Sequence, residues 1–188
     1  MRKLIFILTC SLCLSSLASA DNHLKERASK SKEVAQDFMK QLKAELGKAM
    51  KSGGPVAAIS VCNHQAPLIA KNLSDKYGWK IARTSLQVRN PENSADDWEA
   101  DVLQKFENRK AMGEAVKPMA YYAVVENNNQ QNFRFMKAIP TAEVCLKCHG
   151  QNIAPEVKAR LDELYPTDKA RGYKLGDIRG AFTISQPM

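Results

Sequence analysis

The hydrophobic pattern in the first half of the chain predicts two consecutive helices. Apolar residues recur at every fourth position among charged ones: Val34, Phe38, Leu42 and Leu46. This spacing predicts an amphipathic helix over about residues 24–50. The turn-forming Ser52-Gly53-Gly54 ends it, and Pro55 suits the first turn of a second helix. The second helix would cover roughly residues 55–75 and be kinked by Pro67.

The later elements alternate between strand and helix patterns. They are a strand over Trp79–Leu86, a helix from about Ala95 to Lys110, strands over Met119–Val125 and Phe133–Ile139, a short helix near Pro155–Leu164 and a last strand over Ala181–Ser185. The polar segment Glu126–Asn132 joins the two middle strands, which predicts an antiparallel hairpin. Because helices come first and antiparallel strands later, the pattern predicts an α+β domain rather than a parallel βαβ sheet.

Residues 1–20 differ from the rest of the chain and predict a secretory signal peptide. Two basic residues, an apolar stretch over Leu4–Leu17 and the small residues Ala18-Ser19-Ala20 follow one another, as in such signals. The stretch is short for a membrane-spanning helix, which needs roughly 20 apolar residues. We therefore expect cleavage after Ala20, a single domain over residues 21–188, a periplasmic or secreted location and no stable membrane insertion.

The charge and the cysteine content of the chain limit the kinds of function and partner that we expect. Signal cleavage would remove Cys10 and Cys13 and leave three of the five cysteines. A lipoprotein cysteine follows a small residue, and neither Cys10 nor Cys13 does. The formal charge of +8 would fall by two. Basic and acidic residues are interspersed, and no basic stripe carries interleaved aromatic residues, so we expect no nucleic-acid partner. A weakly basic surface favours docking to an acidic redox partner.

The segment Cys145-Leu146-Lys147-Cys148-His149 has the C-x-x-C-H signature of covalent haem attachment. Two thiols three residues apart lie on one side of a helical turn, where each can form a thioether with a vinyl group. The adjacent His149 can then place an imidazole nitrogen on the iron. The motif predicts one covalently attached haem c, with Cys145 and Cys148 as attachment sites and His149 as an iron ligand. Such attachment takes place outside the cytoplasm, in agreement with the signal peptide.

Three other uses of these cysteines compete with haem attachment. A structural disulfide would leave His149 without a role, and a thioredoxin-like site lacks its usual βαβ setting. A zinc site would need a fourth ligand from His23 or His64, and no second C-x-x-C supports it.

The second axial position has several candidate ligands. Residues spaced three and four apart form one apolar face of the second helix: Ile59, Cys62, Ala66, Ile69 and Leu73. Cys62 therefore points into the core, whereas His64, about 200° away at ~100° per residue, faces elsewhere. Cys62 is either an iron ligand or a small buried hydrophobe. Further candidates, each in an apolar pattern more typical of a core residue, are Met112, Met119 and Met136.

Several further motifs occur in order along the chain: Val61-Cys62 with Ala66-Pro67, Arg83-Thr84-Ser85-Leu86, Arg89-Asn90-Pro91 with Asn93, Trp98-Glu99, Gly150 after the haem motif, Tyr165-Pro166 with Asp168, Ala170 and Gly172-Tyr173, and Gly176-Asp177-Ile178-Arg179-Gly180. With them the chain resembles a family of single-haem c-type cytochromes whose members also serve as periplasmic sensor domains of bacterial chemotaxis receptors. The resemblance implies a PAS-like antiparallel sheet with long N-terminal helices, and iron ligation by His149 and Cys62. One departure is Ala95 before Asp96, where the family tends to have proline.

These features predict a redox protein rather than an enzyme. With His149 and Cys62 as axial ligands, the haem would serve electron transfer or redox sensing toward a redox or signalling protein partner. Alternatively, CO or NO would displace Cys62 in a gas sensor. Peroxidase-like chemistry would need an acid–base residue, for which His64 and Arg89 are the candidates. Arg89 and Arg179 would otherwise serve as loop anchors or as partners of a haem propionate.

Overall fold

The structure, a computed structural model, describes residues 13–127 and 129–188. Most of the predicted signal peptide, residues 1–12, lies outside the described residues, and the first helix begins at Cys13. Within the described part of the chain, we find no helix with both the length and the apolar character needed to cross a bilayer.

The elements follow the order predicted from the sequence. They are α1 (Cys13–Ser60), a π-helical turn (Val61–Gln65), α2 (Ala66–Tyr77), β1 (Lys80–Thr84), a 3-10 turn (Pro91–Asn93), α3 (Asp97–Ala111), β2 (Ala120–Asn127), β3 (Gln130–Pro140), α4 (Glu143–His149), α5 (Pro155–Leu164) and β4 (Ile178–Pro187). The predicted haem motif forms α4. The predicted α+β class with a long N-terminal helix is confirmed.

The four strands form one antiparallel sheet in the order β1-β4-β3-β2. The β2–β3 hairpin was predicted, but the position of β4 between β1 and β3 was not. Ile184 on β4 pairs with Ile81 on one side and with Phe135 on the other. The C-terminal strand therefore joins the N-terminal helices and their strand to the central hairpin.

Helices cover both faces of the sheet. On one face, Val34 and Phe38 of α1 and Leu73 of α2 pack against strand residues that include Phe135 and Ile184. On the other face, α3 packs onto a second cluster, whose members include Phe106, Met119, Met136 and Ala138. Side chains that alternate along β3 enter the two clusters in turn, as a strand buried on both faces requires.

The apolar stripe predicted on α1 contributes both to the core and to the lining of a cavity. Val34 and Phe38 are buried in the first cluster, while Leu42 and Leu46 lie farther along the same stripe and line a cavity. Non-helical backbone angles at Gly53 and Gly54 interrupt α1 where the pattern predicted its end, and Gly54 has φ +66°. This break lets the chain reverse, so that α2 packs beside α1.

Helix α3 is fastened to the sheet through a buried carboxylate. Asp96 and Glu99 cap the helix reciprocally, each side chain accepting the other's backbone N–H. Glu99 also accepts hydrogen bonds from Arg134 at 2.9 Å and from the Thr183 hydroxyl at 2.7 Å. The Trp98-Glu99 motif thus has a structural role, and Ala95, the departure from the family pattern, packs beside the second cluster.

Candidate functional site

A cavity of about 290 Å³ lies between the second half of α1, the π-helical turn, the sheet and α4. The four residues proposed from the sequence as attachment sites or ligands all line it: Cys62, Cys145, Cys148 and His149. Helix α1 contributes apolar side chains spaced three and four apart: Met39, Leu42, Leu46 and Met50. The structure therefore brings a thiol from the N-terminal helices to the same cavity as the C-x-x-C-H residues, more than 80 positions later in the chain.

Backbone hydrogen bonds at both ends hold α4 against the segment that leads to β4. Before the helix, Thr141 N–H donates to the Asp177 carbonyl at 2.7 Å. After it, Tyr173 N–H donates to the His149 carbonyl at 3.0 Å. A Cβ atom on Gly150 would lie 2.5 Å from the Leu146 carbonyl oxygen, so only glycine lets the chain pass the last turn of α4 this closely.

The ring of His149 is oriented by a backbone acceptor. Its Nδ1 atom lies 2.8 Å from the Ala170 carbonyl oxygen, which can only accept, so Nδ1 carries the hydrogen and Nε2 keeps its lone pair. Burial, reinforced by the positive charges of Arg179 and Arg89, holds the pKa of His149 well below its usual range. The imidazole is therefore neutral at neutral pH, the form that ligates a metal.

Arg179 also lies against this imidazole. Its Nε is 3.1 Å from Nδ1 of His149 and 3.5 Å from Nε2. Because the Nδ1 hydrogen is engaged by Ala170, we interpret this contact as a cation beside the ring rather than a hydrogen bond to Nδ1.

Arg89 ties three segments together beside His149, and its Nη1 lies 3.5 Å from Nε2 of the imidazole. Its Nη2 donates to the Cys148 carbonyl at 2.6 Å and to the Ala170 carbonyl at 3.3 Å, and it lies 3.0 Å from Oδ2 of Asp168. The Arg89 and Asp168 side chains are only 7% and 1% exposed. Burial alone would raise the pKa of Asp168, but hydrogen bonds from Arg89 and Arg171 bring it below its usual value. Arg89 is thus a loop anchor.

Cys62 owes its position to the π-helical turn. Pro67 lacks the N–H that would bond the Asn63 carbonyl, and its ring would clash with that carbonyl in a regular α-helix. The helix widens into the π turn just before Pro67, so the predicted kink takes this form. Such turns occur frequently at functional sites. His64 is exposed, and its Nδ1 lies 3.2 Å from the Ser60 carbonyl oxygen, so it faces away from the cavity as expected.

The methionines proposed from the sequence lie elsewhere. Met119 and Met136 are buried in the second core cluster, and Met112 is 79% exposed. None of the three is among the residues that line the cavity. Met39 and Met50 line it instead. Met50 could have been found, because it continues the four-residue spacing of the α1 stripe.

Neither histidine considered as a fourth zinc ligand lies near the cavity. His23 lies in a surface depression with Trp79 and Gln186, away from the cavity, and His64 points outward. Over the ranges that the structure describes, no three or more His, Cys, Asp or Glu side chains converge to hold a metal ion. Within the described part of the chain, no disulfide joins Cys62, Cys145 or Cys148. Burial raises the pKa of Cys148, which keeps its thiol protonated.

Comparisons with known proteins agree with the motifs. The family model described as "Tll0287-like: Tll0287" matches residues 17–187. Among solved structures, the chain is similar to one titled "Crystal structure of the cyanobacterial heme-protein Tll0287", at 20% identity and a TM-score of 0.67. The match covers 87% of this chain and 96% of that chain, which confirms the predicted fold. No curated protein matches. Because the family model spans almost the entire chain, the protein belongs to the Tll0287-like family.

Proposed function

We propose that this protein is a periplasmic single-haem c-type cytochrome that acts in electron transfer or redox sensing. Cys145 and Cys148 would hold the haem covalently, and His149 and Cys62 would be the axial ligands. The observation that carries this proposal is that Cys62 and the C-x-x-C-H residues line one cavity although they come from separate parts of the chain.

The chemistry of the cavity fits a haem better than a bare metal ion. The largely apolar lining suits the faces of a porphyrin, and the imidazole of His149 is neutral, with its lone pair on Nε2. The thiols of Cys145 and Cys148 lie less than one helical turn apart on α4, as two thioether bonds require. The similar cyanobacterial protein is itself described as a heme-protein.

The axial residues set what such a site does. A haem bound here would supply a one-electron Fe(III)/Fe(II) couple, and a thiolate ligand lowers its potential by favouring ferric iron. Cys62 would provide the thiolate, while the Ala170 carbonyl makes His149 a stronger donor through Nδ1. With both positions filled by the protein, electron transfer is favoured over substrate binding.

The surroundings of the cavity argue against catalysis. His64 is directed outward, and Arg89 is ion-paired with Asp168, so neither candidate acid–base residue is placed for peroxidase-like chemistry. The partner would be an exported redox or signalling protein, since the predicted signal peptide precedes the domain. The net positive charge favours an acidic docking surface on that partner.

Absorption and EPR spectra of the oxidised and reduced protein test the ligand set. We expect a low-spin ferric spectrum typical of His/thiolate ligation, which Cys62→Ser abolishes while raising the potential. The matched control is His64→Gln, because His64 lies on the same π-helical turn but faces outward. A Cys62→Ser protein with the wild-type spectrum and potential would refute thiolate ligation by Cys62.

A gas-sensing role is the second candidate, supported by the position of Cys62 on the π-helical turn. If CO or NO displaced Cys62 after reduction, the turn that joins α1 to α2 would be freed to move. Adding CO to the reduced protein separates the two roles: a spectral change at low CO concentration favours sensing, and an unchanged spectrum excludes it.

A further inference from the structure

The charged residues that line the cavity all have the same sign. Four basic side chains contribute to the lining: Lys43, Arg83, Arg89 and Arg179. Among the residues that the structure describes, no aspartate or glutamate lines the cavity. An apolar cavity with four cations and no carboxylate at its wall is suited to a ligand that has anionic groups at the edge of an apolar body.

Two of these cations have their charge compensated without a ligand. Arg89 is ion-paired with Asp168, whose side chain is almost completely buried. Lys43 is exposed on α1, where water solvates its ammonium group. Neither residue therefore requires an anion inside the cavity.

Arg83 is in a different situation. It lies on β1 opposite Phe182, and its guanidinium carbon is 5.8 Å from the centre of the Phe38 ring. Among the described residues, no group accepts a hydrogen bond from the Arg83 guanidinium, and no carboxylate forms an ion pair with it. Burial lowers the pKa of Arg83, although an arginine remains protonated in proteins. A partly buried cation held against an aromatic ring and the cavity wall is costly unless an anion compensates it.

Arg179 is only partly satisfied. Its Nη1 donates to the Ser85 hydroxyl at 3.1 Å and to the Gln87 carbonyl at 3.3 Å, which are both neutral acceptors. Within the described ranges it forms no ion pair. Arg83 and Arg179 thus supply two positive charges to the cavity without a matching negative charge from the protein.

We propose that Arg83 binds one haem propionate and that Arg179 supplies the compensating charge for the other. This inference rests on the proposed function, because the anion belongs to the haem. With ferric iron, a thiolate ligand and the porphyrin dianion, the centre of the haem is neutral, and its two propionates match the two uncompensated guanidiniums. An arginine can also bind a carboxylate through two parallel hydrogen bonds.

The test begins with haem-loaded protein, verified by covalent haem content, and compares Arg83→Gln with the control Lys40→Gln, which removes an exposed cation of α1 outside the cavity lining. We expect Arg83→Gln to shift the propionate bending bands in the resonance Raman spectrum and to lower the reduction potential, because loss of a nearby cation favours ferric haem. Arg83→Lys should restore the potential more fully than the Raman bands. Lys40→Gln should change neither the propionate bands nor the potential.

Two results would overturn the assignment, and each differs from a failure of the proposed function. Haem-loaded Arg83→Gln with wild-type propionate bands would show that Arg83 binds no propionate. If the variant fails to fold, a crystal structure of the wild-type holoprotein decides: Arg83 within hydrogen-bonding distance of a propionate supports the assignment, and Arg83 away from both propionates refutes it. A wild-type protein without haem would instead refute the proposed function.

Discussion

The Nδ1 atom of His149 lies 2.8 Å from the carbonyl oxygen of Ala170, 21 residues later in the chain. The loop that contains Ala170 therefore fixes which imidazole nitrogen can face a metal. Asp168 holds this loop in place, because its Oδ1 accepts the Ala170 N–H at 2.9 Å and its Oδ2 pairs with Arg89. The orientation of the proposed ligand thus depends on a buried ion pair outside α4.

Removal of one partner of this ion pair is expected to destabilise the protein strongly. Asp168→Asn leaves the buried guanidinium of Arg89 without its anion, and we expect a loss of about 3–5 kcal/mol in the free energy of unfolding. Urea denaturation monitored by circular dichroism measures it.

Asp162→Asn is the matched control. Asp162 also pairs with Arg171, but its side chain is 46% exposed, so the loss should be much smaller than in Asp168→Asn. Equal losses in the two variants would mean that the buried Arg89–Asp168 pair has no special importance.

The Asp168 carboxylate also makes the stability of the protein depend on pH. Because the folded-state pKa of Asp168 is depressed, its stabilisation is fully present above the unfolded-state pKa of about 3.9. This stabilisation is lost as the pH falls below that value through the folded-state pKa. Unfolding free energies measured between neutral pH and pH 3 should therefore fall less steeply in Asp168→Asn than in the wild type. Parallel curves would contradict this assignment.

Gly180 permits the close approach of β4 to β1. A Cβ atom there would lie 2.3 Å from the Thr84 carbonyl oxygen, and its φ of +152° is unfavourable for other residues. We expect Gly180→Ala to cost at least about 1–3 kcal/mol in unfolding free energy, because the strand must move.

Gly47→Ala is the matched control, because it adds the same methyl group but is expected to stabilise the protein. Gly47 lies within α1, where an added methyl group would meet no neighbouring atom within 4 Å, so alanine should stabilise the helix by about 0.5–1 kcal/mol. Thermal unfolding of both variants gives the two shifts. A neutral Gly180→Ala would show that β4 tolerates a side chain at this position.

The sequence predicted the order of the elements because each one carries a local pattern. The α1 stripe, the break at Gly53-Gly54 and the β2–β3 hairpin all depend on residues close together in the chain. The position of β4 in the sheet could not be predicted in this way, because it depends on pairs such as Ile184 with Ile81, about 100 residues apart.

The candidate site, too, contains some residues that the local sequence predicted and others that it could not predict. The residues Cys145, Cys148 and His149 form a contiguous motif, and the helical phase of Cys62 predicted that it faces inward. The Ala170 acceptor, the Arg89–Asp168 pair and the cation at Arg83 could not be predicted, because they reach the site through contacts between distant parts of the chain. The roles of such residues follow only from tertiary contacts.

Covalent haem content is the most direct test of the central claim. We expect denatured wild-type protein to give a pyridine haemochrome band and a mass equal to the mature chain plus one haem, and we expect Cys145→Ala/Cys148→Ala to lose both. A wild-type protein that was produced with an active haem-attachment system but had the mass of the bare polypeptide would contradict the account.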